Sequence, residues 1–544
     1  MTRTSYRLLL LALTMVGSCT TSSPARSPGS GGAGAIAAGG ATASGGKMGT
    51  GGSTNTGGAL STGGSTNAGG TSATGGGSGG VASTGGGGTK ATGGATSSGG
   101  VASTGGSARA DGATGSGGVA ATGGGASSDA AIVSGGATGT GGSTGSGGGT
   151  SPGGASGKGG ATSASGAAYP FPQNFKGKYC TYPASYDNAK VTAAYQAWKD
   201  AVITTDGAGA FQRVKKPDSG TVIGSTVSEG IGYGMILAVY MDDQKLFDNL
   251  WSYEQIHLGS NGLMDWEIGP DGKVTSGGSG GATDGDEDMA WALVMADRQW
   301  GGQGALKDTY LNNAKKLIGL IWSFEVDQTR SDMLKPGDQW GNVDATNPSY
   351  FAPAYYRVFG QVTGKTDDWN KVISGNYDIL EKSLNATSGN ATNGLVPAWC
   401  DSSGKPVSPY SGAPMYFQND STRTPFRVGQ DYCYFGEPRA KSYLAKISSF
   451  YVGIGVSKIV DGYELTGTPK PDKAVNGLQA ASFVGPAGVG AMSDATYQSF
   501  INDAYAAVAT LNLTAGTIYY QKSWTALSLL MMTANLVDFT QMTQ

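Results

Sequence analysis

Two regimes of hydrophobic patterning divide the 544-residue chain. From Thr20 to Ala168 there is no Phe, Tyr or Trp and no apolar period among the glycines, alanines, serines and threonines. From Tyr169 onward apolar residues recur at helical spacing. Asn188–Ala201 puts Val191, Ala194, Tyr195 and Trp198 on one face, the stripe of a helix that packs on a core from outside. Gly230–Met241 is apolar nearly all round, which marks a helix buried on every side. The same reading predicts helices over Leu246–Tyr253, Glu287–Trp300, Thr309–Phe324, Tyr350–Gly360, Trp369–Leu384, Pro438–Ser449, Thr496–Leu511 and Trp524–Leu536. Period-two alternation is scarce. The pattern predicts an all-α domain over 169–544 with buried helices inside and amphipathic ones outside, a barrel with a loop-lined groove. Periodicity alone leaves a helical solenoid open.

Composition changes this picture mainly before Tyr169. Units such as Ala91-Thr92-Gly93-Gly94 and Ser103-Thr104-Gly105-Gly106 recur without a strict period, and charge is confined to Arg26, Lys47, Lys90, Arg109, Asp111, Asp129 and Lys158. A stretch with so little to bury cannot offset its chain entropy, so 20–168 is predicted to be a disordered tether. As a Gly-rich coil it would span roughly 65 Å. Ahead of it, Arg3 and Arg7 precede the apolar run Leu8–Val16 and then Gly17-Ser18-Cys19. That run is too short to cross a bilayer and reads as an export signal. Val16-Gly17-Ser18-Cys19 resembles a bacterial lipobox, so 1–19 is expected to be a lipoprotein signal with Cys19 as the lipid attachment, an ordinary cleaved signal being the alternative. The expected location is the bacterial cell surface or the medium, with membrane contact through the lipid only.

A formal net charge of −3 gives no reason to expect a nucleic-acid partner, and a monomer is expected. With Cys19 lipidated, Cys180, Cys400 and Cys433 allow at most one internal disulfide, which export permits without specifying the pair. A single histidine, His257, and no Cys/His spacing of metal-site type exclude a His-rich metal centre and disfavour a serine triad. Neither metal nor cofactor is expected.

Candidate chemistry concentrates between Ser228 and Trp300. Met289, Leu293, Ala296 and Trp300 follow i, i+4, i+7, i+11, so Asp286, Glu287 and Asp288 read as the acidic start of a helix with Asp286 as its N-cap. Asp284 then falls before the cap, between Thr283 and Gly285, where a turn presents it to a cleft. Glu229 begins its own helix, where the dipole favours its ionised form; to donate a proton it needs burial or a neighbouring carboxylate, which Asp284 would supply. The residues alone leave helix packing and catalysis both open.

Several segments together carry a specific resemblance: Glu229-Gly230-Ile231-Gly232-Tyr233-Gly234-Met235, Gly262–Trp266, Ala282–Ala290 through Trp300, Leu334–Gly341, Thr346–Ala354, Gly394–Cys400 and Asp461-Gly462-Tyr463. In this order they resemble glycoside hydrolase family eight, and within it the clostridial-type endo-β-1,4-glucanases, over essentially all of 169–544. The resemblance implies an (α/α)6 barrel with an open groove and cofactor-free inverting hydrolysis of internal β-1,4 bonds in cellulose-like glucan. Xylan, mixed-linkage glucan and chitosan are the alternative polymers, and a non-catalytic surface glycan-binding protein is the reading from another class. It implies Glu229 as proton donor, Asp284 as the carboxylate holding the distorted sugar, and Asp431 as general base, with Asp420 as the fallback. Arg427, four residues before Asp431, would favour its ionised state if that segment is helical; without the resemblance the two read as a surface pair. Trp266, Trp340, Tyr350, Tyr432 and Tyr520 are candidate sugar platforms because flat apolar pyranose faces match aromatic rings. Arg423 is a candidate for positioning carboxylates or hydroxyls, with a structural ion pair as its alternative.

Overall fold

Helices buried on all sides alternate along the chain with helices buried on one face, and that alternation builds the domain. The computed structural model describes residues 166–330, 332–339, 344–475 and 477–542. The proposed signal with Cys19, the low-complexity stretch up to residue 165, and Trp340 lie outside the described residues. The inner helices are α2 (Ser228–Tyr240), α4 (Thr283–Gln299), α6 (Pro353–Thr363), α8 (Arg423–Phe435), α10 (Ala481–Ala491) and α12 (Ile518–Met532). Each packs on the next, and α12 closes the ring against α2. Around them lie α1 (Asn188–Val202), α3 (Gln244–Gln255), α5 (Tyr310–Phe324), α7 (Thr366–Ser383), α9 (Pro438–Ile454) and α11 (Gln498–Ala509). This is an (α/α)6 barrel.

Burial follows the sequence pattern. Every residue of α2 is buried, whereas α1 buries Val191, Ala194, Tyr195, Trp198 and Val202 and leaves the rest partly or fully exposed. The few strands are two-residue pairs; one of them, Thr226–Val227 against Glu267–Ile268, leads directly into α2. Sequence periodicity misses two inner helices, α8 and α10. Both contain a proline, Pro425 and Pro486, and α10 reads Ser482-Phe483-Val484-Gly485-Pro486-Ala487-Gly488, the composition of a loop. Its small residues are instead places where neighbours come close: a Cβ on Gly485 would lie 2.1 Å from Ser528 Oγ, and one on Gly488 2.9 Å from Ala504 Cβ.

Two differences at helix starts bear on the site. Helix α4 begins at Thr283 with Ala282 as N-cap, so Asp286 is not the cap and Asp284 lies in the first turn rather than before it. Helix α6 begins at Pro353, because Pro348–Tyr350 forms a separate 3-10 turn. Cys180 and Cys433 form a disulfide across 253 residues of sequence, tying the extended N-terminal segment to the end of α8, and Cys400 is a buried free thiol. Such a bridge is worth about 2–5 kcal/mol.

Glycines set the closest approach in the ring. A Cβ on Gly232 of α2 would meet Asp288 Cβ at 2.7 Å, and one on Gly285 of α4 would meet the Ser228 carbonyl carbon at 2.6 Å and the Glu229 nitrogen at 2.7 Å. Helices α2 and α4 thus touch backbone to backbone at their first turns. Gly285→Ala is expected to separate them, lowering stability by about 1–3 kcal/mol in a denaturant titration and reducing turnover in the refolded enzyme; a wild-type midpoint would show that the helices do not meet there.

Candidate active site

The first turns of the inner helices meet at one end of the barrel. Glu229 and Asp284 lie in the first turns of α2 and α4, Arg423 opens α8, and Tyr519 and Tyr520 lie in the first turn of α12. Helix N-termini carry partial positive charge, so this end favours anionic groups.

Arg423 joins these residues. Its Nη1 lies 2.5 Å from Glu229 Oε2 and 2.6 Å from Asp284 Oδ2, and its Nη2 lies 3.6 Å from Asp420 Oδ1. Nε donates to Ser349 Oγ at 3.2 Å, and the guanidinium carbon stands 4.9 Å from the centre of the Tyr350 ring. Tyr519 donates its hydroxyl to the other Glu229 oxygen at 2.7 Å. The Tyr520 hydroxyl donates to the Asn419 carbonyl at 2.9 Å, bracing the turn that carries Asp420. Arg423 itself is 1 % exposed, so its charge must be matched by the acids it touches.

Three carboxyl groups around one guanidinium cannot all ionise cheaply. Burial pushes Glu229 up to about 7; Arg423 and the Tyr519 hydrogen bond pull it down, and Asp284 adds to the rise. Burial therefore outweighs the ion pair, so Glu229 can hold a proton near neutrality. Asp420 is also raised by burial, while Arg423 opposes the shift. The site contains the two functions that glycoside cleavage needs: a protonated carboxyl, and further carboxylates that can bind charge or water. Among the described residues no group of three or more His, Cys, Asp or Glu could hold a metal ion.

Comparison with known proteins fixes the family. Residues 171–534 match Glycosyl hydrolases family 8. The chain belongs to that family. It is 40 % identical over 349 residues to Endoglucanase A of Acetivibrio thermocellus, covering 64 % of this chain and 69 % of that protein. It is also 40 % identical over 336 residues to Endoglucanase 2 of Ruminiclostridium josui, covering 60 % of this chain and 69 % of that one. Among solved structures, the apo β-1,3-1,4-glucanase from Paenibacillus sp. X4 superposes with a TM-score of 0.60 at 31 % identity, covering 68 % of this chain and 98 % of its own.

Within this family 8 site, Glu229, Asp284, Arg423 and Tyr350 come together, with Tyr520 one contact behind. Trp266 adjoins them: its carbonyl accepts from Ser228 N at 3.0 Å and its indole donates to the Gly277 carbonyl at 2.9 Å. Asp431 does not join them. Two turns along α8 it is fully buried, paired with Arg357 Nε at 2.7 Å and Nη2 at 3.1 Å, and it accepts the Tyr377 hydroxyl at 2.6 Å. Arg427 pairs with Asp288 and Glu287, not with Asp431. Tyr432 is displaced likewise, packing beside Tyr179 and under Lys441; at 1.5 Å per residue it lies about 13 Å along α8 from Arg423. Asp420, the fallback, is the acid that joins Glu229 and Asp284 at Arg423, and its three-residue spacing from Arg423 is the sequence signal for that contact. Ser349 and Tyr519 carried no such signal.

Because the Tyr519 hydrogen bond favours ionised Glu229, Tyr519→Phe is expected to raise the pKa of the acid. The alkaline limb of kcat/KM against pH should move upward by about half a unit to one unit. A downward move would contradict the contact.

Proposed function

We propose that the enzyme hydrolyses internal β-1,4-glucosidic bonds of cellulose-like glucan with inversion at the anomeric carbon. The observation that carries this reading is the placement of Glu229, Asp284 and Asp420 on one guanidinium. An inverting reaction needs two carboxyls set far enough apart, roughly 6.5–9.5 Å, to leave room for a water, and Glu229 and Asp420 sit on different prongs of one guanidinium, at 2.5 and 3.6 Å. Glu229 gives its proton to the glycosidic oxygen as the bond to the anomeric carbon breaks. Asp420 takes a proton from a water whose oxygen bonds to that carbon from the opposite face. Asp284, beside Arg423, binds hydroxyls of the sugar being cleaved. Solvent exchange returns the proton from Asp420 to Glu229.

The names of the 40 %-identical relatives support cellulose-type glucan. Mixed-linkage glucan is the second reading, favoured by the 31 %-identical β-1,3-1,4-glucanase. Trp266, at the edge of the site, is the platform best placed to stack on a sugar face. We read the N-terminus as a lipoprotein export signal with Cys19 lipidated, which would carry the enzyme to the cell surface as a monomer; radioactive palmitate should label wild type and not Cys19→Ala.

Asp420→Asn is expected to lower kcat on carboxymethylcellulose by about 10²–10⁴-fold while leaving the melting curve near wild type. Asp431→Asn should do the reverse, retaining turnover and losing about 1–3 kcal/mol of stability through its buried pair. The opposite pattern would return the base to Asp431. NMR of the first product on soluble β-glucan should show the α anomer, and a β anomer would exclude inversion. A panel of cellulose, mixed-linkage glucan and xylan with product sizing decides the polymer.

A further inference from the structure

The three inner helices that carry Glu229, Asp284 and Arg423 each present a second polar residue one turn further in. Glu229, Asp284 and Arg423 form one level, and Tyr233, Asp288 and Arg427, each four residues later, form the next, about 6 Å deeper. At this second level Arg427 meets Asp288 with both prongs, Nη1 to Oδ1 and Nη2 to Oδ2, each at 3.1 Å. Nη1 also lies 2.9 Å from Glu287 Oε1, whose partner oxygen accepts the Tyr356 hydroxyl at 2.7 Å. All these groups are buried. An apolar plug would fill a barrel axis with less desolvation than an ion pair, so the pair is not explained by packing.

Tyr233 and Arg427 also line a cavity of about 10 Å³ together with Asp288, Gln430 and Trp524. Tyr233 Oη and Arg427 Nε have no hydrogen-bond partner among the described residues. The cavity has the volume that one water requires, about 10–15 Å³, so Arg427 can be solvated there and keep its charge.

We propose that Arg427 and Asp288 are positioning residues: a balanced ion pair one turn beneath the carboxyls that sets the field in which Glu229 keeps its proton. This deepens the reading of Glu229 as acid and rests on it. Glu229 is faced by Asp284 from α4, by Arg423 and Asp420 from α8 and its preceding turn, by Tyr350 from the 3-10 turn before α6, by Tyr519 and Tyr520 from α12, and by Tyr233 on its own helix. The pair below is faced by Glu287 and Asp284 from α4, Arg423 from α8, Tyr355 and Tyr356 from α6, and Tyr233 from α2. Burial pushes Asp288 up to about 6, with Arg427 opposing, and the two-pronged contact with Arg427 at 3.1 Å holds it as the ionised partner of the pair. Burial pushes Glu287 well up, with Arg427 opposing, so Glu287 keeps its proton and removing the Asp288 charge leaves Arg427 as an unmatched cation, which favours ionised Glu229. Removing the Arg427 charge leaves an unmatched anion, which favours the protonated form.

The test is the alkaline limb of kcat/KM against pH on a soluble glucan. Asp288→Asn is expected to move it down and Arg427→Gln up, each by about half a unit to one unit. Arg427→Lys, which keeps the charge, and the double variant Asp288→Asn/Arg427→Gln, which removes both charges, should stay close to wild type. A purely structural pair would lower the melting temperature of both single variants and move the limb in neither, or in the same direction in both; either result overturns the proposal. Should a single variant fail to fold, the Lys and double variants still decide it, since a displaced limb in either contradicts charge balance. Glu229→Gln run in parallel separates the two claims: if it is inactive and the limbs do not move, the positioning role alone fails, and if it keeps turnover, the acid assignment fails.

Discussion

A single buried guanidinium holds the site together. Arg423 contacts Glu229, Asp284 and Asp420, which come from three separate parts of the chain, and these acids would repel one another without it. The barrel places this cation by opening α8 at Arg423, bracing it with Ser349 and covering it with Tyr350. The far end of the same helix is tied to the N-terminal segment by Cys180–Cys433. A helix held at both ends keeps its first residue in register with α2 and α4, and the glycine contact between those two sets the spacing of the acids they carry.

The electrostatics then divide the acids. Burial raises Glu229 and Asp420 while Arg423 opposes the rise in both, and the proton stays on Glu229 near neutrality. The dipoles of the inner helices favour anions at this end, so the acid keeps its proton against the local field because desolvation is the larger effect. This is also why the charge-balanced level beneath matters: a site poised between two large opposing terms responds to a single uncompensated charge one turn away.

Much of this was legible in the sequence, in proportion to how local its cause is. Helices with a clear apolar stripe or an all-apolar surface, such as α1 and α2, were predictable because burial writes a period into the chain. Helices α8 and α10 were not, since proline and glycine are there for close packing against neighbours that the sequence does not show. Glu229, Asp284 and Arg423 stood out through their motifs. The resemblance placed the base at Asp431 with Asp420 as the fallback, and the choice between them depends on which face of α8 points to the axis, which the sequence does not show. In the fold, Asp431 faces outward to Arg357 and Tyr377, and Asp420 sits on the turn ahead of the helix. Tyr519, next to the predicted Tyr520, shows the same limit: adjacent residues in a buried helix differ by a rotation that only packing fixes.

The central claim, that Arg423 assembles an acid at Glu229 and a base at Asp420, is tested most directly by a crystal structure of the Glu229→Gln variant with a cello-oligosaccharide spanning the groove. An ordered water is expected within hydrogen-bond distance of the Asp420 carboxylate, beneath the anomeric carbon at the cleavage point, with the side chain at 229 on the glycosidic oxygen. A water held there by another carboxylate, or a sugar chain that passes the Arg423 cluster without touching it, would contradict it.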